Sequence, residues 1–377
     1  MNEMDKSSES NNQIRPEQRT ERAEVKMNLS EKQKEIVTTD EQKVVVIASA
    51  AAGKTAVLVE RARYLLEKKK VDPSKIVLIT FTNAAAEELA DRLGHPTGMF
   101  IGTLHAYANY LLLSNGRETA DLLETEQFDK LFGRIQRHPE CVKHVEHLLL
   151  DESQDSNREH FEFLIDLVQP DNYMLMGDHK QSIYRWNGAY PDYIINLAKE
   201  WDVVTYDLNE NYRNGSKILD YARGIINLAG YDYRDTSIPM RGITGRVIDT
   251  DYNGPSIART IKQYGNYGDW FILTRTNDQI DEIIYYLQKE NVPYDTFKRS
   301  ALDNKELNKK MKENTVKVLT IHTSKGLEAD NVIVIGAKFY NTEEKCISYV
   351  AATRARNLLV WTRMPQKKKY AVNSWER

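Results

Sequence analysis

Two short stretches of this 377-residue chain hold residue types that could grip and cleave a phosphate ester. The first is ASAAAGKT at 48–55, which follows an apolar run and opens an amphipathic one. Backbone N–H groups at a helix start are unpaired and point outward, and the helix dipole favours negative charge, so such a turn cradles anions. In that pattern Ala48, Ser49, Ala50, Ala51, Ala52 and Gly53 supply the loop. Lys54 reaches the β- and γ-phosphates of ATP as a point charge, and the Thr55 hydroxyl ligates Mg2+. The general pattern has Gly where Ala48 stands, so the match is partial. The second stretch, LLLDESQD at 148–155, is an apolar strand ending in paired carboxylates. Asp151 at the strand tip is placed to hold Mg2+, directly or through water, and Glu152 to orient and deprotonate an attacking water. Alone, the first is a small-residue turn and the second a solvated loop. One behind the other, they point to a triphosphate site.

The elements that must hold these groups alternate between two kinds. VVVIAS (44–49), KIVLITF (75–81), HLLLDE (147–152) and YMLMGD (173–178) read as buried strands, and TAVLVERARYLLEKK (55–69) and AAAEELADRL (84–93) as helices. Apolar strands flanked by helices are the pattern of a parallel sheet covered on both faces. The second half repeats it with VVTYDL (203–208), WFILTR (270–275), VKVLTIH (316–322), NVIVIG (331–336) and NLLVWT (357–362). Two α/β units follow, 28–202 and 203–377, preceded by a polar tail over 1–27 that lacks periodicity and reads as disordered. Residues 106–146 are helical in character and interrupt the first unit, while 300–315 are Lys-rich without a core-forming stripe.

Composition narrows the class. With 41% apolar and 28% charged residues the chain is globular, and its formal charge of -3 confines any nucleic-acid site to a local cleft. No apolar run approaches the ~18 residues of a membrane span, and the N-terminus has no hydrophobic secretory segment. Two cysteines, Cys141 and Cys346, exclude a disulfide framework and suit a reducing cytoplasm.

The motifs together resemble the superfamily 1 helicases of the UvrD/Rep type, from about Leu29 to Arg356. LSEKQKEIV (29–37) resembles the adenine-reading Q motif, with Gln33 as the base contact. ITFTNAAAEEL (79–89) and IGTLHAYA (101–108) resemble two DNA-contacting motifs. MGDHKQSIYRWNGA (176–189), LNENYRN (208–214), LTRTNDQ (273–279), IHTSKGLEADNVIVIG (321–336) and YVAATRAR (349–356) follow in the family's order. The resemblance implies two RecA-like domains with ATP and Mg2+ in the cleft between them. It implies that Gln181 senses the γ-phosphate, Tyr212 stacks on adenine, Glu328 contacts the sugar, and Arg213 and Arg354 are arginine fingers. For DNA it implies a track over Phe81, Asn83, His105, Tyr184, Trp186, His322 and Ser324. The implied activity is ATP-driven 3′→5′ movement on single-stranded DNA and unwinding of tailed duplexes in repair, replication or recombination.

Some positions depart from the family. Ala51 and Ala52 replace Gly and Ser, and a Cβ at 51 crowds the loop if its φ is positive. Asn187 replaces a basic residue, and Ser153 and Ser156 replace Tyr and Thr. The helical insertions of the two domains are cut to 106–146 and 300–315, which implies a minimal motor core. A nucleotide-gated clamp or recruitment subunit with weak hydrolysis is the alternative, and RNA in place of DNA a third reading. Cys141, His144 and His147 have metal-like spacing but read as structural.

Overall fold

A computed structural model of the chain describes residues 29–297 and 309–364. The tail expected over 1–27 and most of the Lys-rich 300–315 segment lie outside the described residues. Ser30 caps α1 (Glu31–Thr38): its hydroxyl accepts the Gln33 amide, and the Gln33 side chain accepts the Ser30 amide in return. The chain then alternates β1 (Lys43–Ala48), α2 (Lys54–Arg63), β2 (Ile76–Thr80), α3 (Asn83–Leu93) and β3 (Phe100–Thr103). Three short helices follow: α4 (Leu104–Ser114), α5 (Ala120–Glu124) and α6 (Lys130–Gln136). The unit continues through β4 (His147–Leu150), α7 (Arg158–Phe161), β5 (Asn172–Gly177), α8 (Pro191–Leu197) and β6 (Val204–Leu208).

These six strands form one parallel sheet in the order β3-β2-β4-β5-β1-β6. The four inner strands are almost wholly apolar because both of their faces are covered. One face packs against α1, α2 and α3, the other against α4, α6 and α7. One expectation is corrected here. VVTYDL, read as the opening of the second unit, pairs with β1 along Val44↔Val204 to Ala48↔Leu208 and closes the first sheet. Its pattern alternates exposed and partly buried residues because it is an edge strand, and nothing in its own residues says which sheet it will join.

The second unit runs β7 (Glu210–Asn211), α9 (Ser216–Ile226), β8 (Ile238–Pro239), β9 (Arg246–Asp251), α10 (Gly254–Tyr264), β10 (Trp270–Thr274), α11 (Asn277–Lys289), β11 (Tyr294–Thr296), β12 (Val316–Thr320), β13 (Ala329–Ile335), α12 (Thr342–Ala352) and β14 (Ala355–Arg363). Its parallel sheet has the order β11-β12-β10-β13-β14-β9. The edge strands β9 and β11 escape a reading by apolar runs because both are polar and half exposed. β7 and β8 form a separate two-stranded pair.

The two units share a continuous apolar contact. Ala50, Ile183, Tyr184 and Ala189 of the first lie in one buried cluster with Ile218, Leu319, Ile347 and Val350 of the second. Among the described residues no helix is long and apolar enough to cross a membrane.

Candidate functional site

The phosphate loop begins where β1 ends. Ala48, Ser49 and Ala50 are buried behind it rather than exposed along its mouth. The Ser49 amide donates to Leu208 O at 2.8 Å, Asn211 Nδ2 donates to Ala50 O at 3.0 Å, and the Tyr212 amide donates to Ala51 O at 3.1 Å. The outward carbonyls of the loop are therefore satisfied by the segment that leads into the second unit. Ala51 has φ +57°, in the left-handed region where a Cβ costs roughly 1–2 kcal/mol. Gly53 has φ +81°, and a Cβ there would sit 2.8 Å from Gln33 Nε2. That nitrogen donates to Ala52 O at 3.0 Å, so Gln33 braces the loop's last turn.

Beyond the loop lies a cavity of about 360 Å³. The first unit lines it with Ala51, Ala52, Gly53, Lys54, Thr55, Glu152 and Gln181, the second with Tyr212, Arg213, Glu328 and Arg354. The fold thus collects onto one wall pair groups that lie up to 300 positions apart in the chain (Lys54 to Arg354). Arg92, Lys325 and Gly326 line it too, and sequence reasoning missed them. Lys325 and Gly326 sit inside a stretch already singled out, IHTSKGLEAD. Arg92 ends a helix and carries no local signal.

Arg354 is fully buried, and its guanidinium donates to Gln181 Oε1 at 2.9 Å, directly across the boundary between the units. Gln181 Nε2 is fixed in turn by Asp178 at 2.7 Å. Arg213 is held by Glu328, which also takes Arg356, and donates to Thr353 O at 3.2 Å. Lys325 crosses from the second unit in the same way, to Asp155 and to Gln181 O. Tyr212 is 43% exposed at the rim, so it is not a core residue.

The acidic pair is set by its surroundings. Glu152 has φ +50° and follows Asp151 just past the end of β4; its carboxylate is 3.8 Å from Lys54 Nζ and accepts from Gln154 Nε2 at 2.5 Å. Burial opposes its charge, but Lys54 and Lys325 outweigh burial and hold its carboxyl below the usual range. Burial, with Glu152 beside it, pushes Asp151 the other way. A buried carboxyl raised by burial and a like charge is a site that a cation would relieve. Thr55 lines the nucleotide cavity, whereas Asp151 sits behind Glu152 and lines the neighbouring pocket. The hard oxygens of Thr55 and Asp151 fit Mg2+.

The residues of the suggested DNA track fall in part on one face. Trp186 is 63% exposed, which excludes a core role. Its ring meets Tyr184 edge-on at 6.4 Å; Tyr184 stacks on Phe81 at 5.4 Å and lies 6.1 Å from His322. Asn83 opens α3 beside them, exposed. His105 lines a neighbouring pocket together with Phe81 and Asn187 and is paired with Asp129 at 3.0 Å. Ser324 is corrected: it is fully buried and its hydroxyl donates to Ile321 O at 2.7 Å, so a track over the surface does not meet its side chain. Cys141, His144 and His147 do not converge either, since Cys141 is in the core and His144 pairs with Asp171.

Comparison with known proteins turns this geometry into a family assignment. Residues 29–138 and 127–202 match the UvrD/REP helicase N-terminal domain, and residues 295–365 the UvrD-like helicase C-terminal domain. This chain belongs to the UvrD/Rep helicase family. It is 24% identical to a probable DNA helicase II homolog of Mycoplasma capricolum, over 64% of this chain and 48% of that one. It is 26% identical to the ATP-dependent DNA helicase PcrA of Leuconostoc citreum, over 71% and 49%. With the ATP-dependent DNA helicase Rep of Buchnera aphidicola it shares 30% over 52% and 32%. The chain spans about half the length of the curated relatives it matches. The two parallel sheets are the RecA-like domains of this family.

Proposed function

We propose that this chain is an ATP-driven motor on single-stranded DNA. It moves 3′→5′ and separates duplexes that carry a single-stranded tail, with ATP and Mg2+ as its fuel, in the cytoplasm and in repair, replication or recombination. The observation that carries the reading is the single cavity lined by Lys54, Glu152 and Gln181 from one unit and by Arg213 and Arg354 from the other.

Charge gathers on the γ-phosphoryl oxygens as the bond breaks. Lys54 opposes that charge from the loop, and Arg354 does so from the second unit when the cleft is closed. Arg213 must leave Glu328 to join it. Glu152, kept ionised by its two lysines, accepts the proton of the attacking water. Magnesium held by Thr55 and Asp151 would neutralise the phosphate oxygens. Because the arginines ride on the second unit, each turnover is tied to movement of one unit against the other, and Trp186, backed by the buried Tyr184, grips the strand meanwhile. Base stacking suits a motor because it is strong yet indifferent to sequence.

The strain at Ala51 favours one rival, a nucleotide-gated clamp that binds the strand but turns over slowly. ATP turnover with and without single-stranded oligonucleotides separates the two. A motor is stimulated by DNA, and more by DNA than by RNA, and it unwinds a 3′-tailed duplex in preference to a 5′-tailed one. Turnover indifferent to added strands sinks the motor reading.

A further inference from the structure

Outside the nucleotide cavity, a second pocket of about 260 Å³ opens on the other side of Asp151 and Glu152. Three of its wall residues come from three separate elements: His105 from the first turn of α4, Asp129 from just before α6, and His160 from α7. Each presents one ligand atom, and these atoms lie within 4.8 Å of one another. His105 Nε2 is 3.0 Å from Asp129 Oδ1. His160 Nε2 is shielded from solvent and has no hydrogen-bond partner among the described residues. Phe132 packs against both imidazoles, with centroids 5.2 and 5.5 Å away, and holds the rings in place. Asp129 and His105 are both open to solvent on their outer side, so an ion has a way in.

We propose that His105, Asp129 and His160 bind a divalent transition metal, with zinc preferred, and that a water completes the coordination from the pocket. Two imidazoles and a carboxylate with one open position form a known zinc ligand set. It is chemically distinct from the all-oxygen magnesium site at Thr55 and Asp151. Zinc at about 2.0–2.1 Å from each atom draws the three to roughly 3.4 Å apart, so the widest separation has to close by rotation of a side chain. His160 Nδ1 now accepts from the Asn157 amide at 3.3 Å. Ligation through Nε2 moves the ring proton to Nδ1 and gives up that long bond, while the shorter one from the His160 amide to Asn157 Oδ1 at 2.9 Å remains. The metal would thus fasten the α4–α6 segment to α7 at the edge of the strand face. This site stands independently of the motor reading.

The test uses the whole chain, stripped by a chelator and titrated with Co2+ alone in excess Mg2+. The wild type is expected to take up one Co2+ with the visible absorption of a four-coordinate ion, displaced by one Zn2+. His160→Gln and Asp129→Asn should each weaken binding about a hundredfold, and Asp151→Asn should leave it unchanged. Absence of the band, or wild-type affinity in either His160→Gln or Asp129→Asn, overturns the site. Should both variants unfold, nitrogen NMR of the wild type still decides. Zinc must convert His160 Nδ1 from an acceptor to an N–H, and an unmoved tautomer overturns the proposal.

Discussion

Around the phosphate loop the charged side chains are buried or partly buried and paired: Lys54 with Glu152, Arg354 with Gln181, Arg213 with Glu328, Lys325 with Asp155. On the proposed strand face the prominent groups are neutral rings: Phe81 stacks on the buried Tyr184, and Trp186, open to solvent, meets Tyr184 edge-on. Lys325 belongs to both, since its ammonium lies 5.2 Å from the Tyr184 ring centroid. The contrast fits what each side would handle in the proposed motor. A phosphoryl group in transit develops charge at fixed points, so its partners have to be preorganised and dry. A strand that must be released at every step is better held by faces that contribute energy without fixed geometry.

Each side can be broken separately. Lys54→Ala removes the loop's only charge and should take ATP turnover to background, with or without DNA, in a phosphate-release assay. Arg354→Ala tests whether the second unit completes the site. Turnover should fall about 10³-fold while nucleotide binding persists, and a loss of binding with it would mean that Arg354 only holds the units together. Trp186→Ala should act on the other side alone. Strand affinity should weaken by about 5- to 150-fold, the equivalent of roughly 1–3 kcal/mol of stacking, with strand-free turnover unchanged. Ala51→Gly is the smallest. It relieves roughly 1–2 kcal/mol of left-handed strain but restores glycine's freedom in the unfolded chain, so the melting temperature should rise by no more than about 4 °C. A fall would show that the Ala51 methyl packs favourably.

The loop and the acidic pair were readable from the chain because each is a local device: a turn between a strand and a helix, and a strand tip. Apolar runs likewise announced the inner strands, whose burial on both faces leaves no polar alternation. What failed was what lies at edges and between elements. The polar edge strands β9 and β11 resemble loops, and VVTYDL was given to the wrong sheet because strand pairing is a long-range choice.

The sequence by itself determined the strand–turn–helix loop at 48–55 that the proposed triphosphate site uses, since backbone geometry at a helix start needs no distant partner. Only the tertiary structure decided that Arg354 meets Gln181, that Ser324 turns inward, and that His105, Asp129 and His160 converge. Side chains far apart in the chain meet through the packing of whole sheets and helices, and that arrangement is encoded by all of the buried residues together rather than by any one motif.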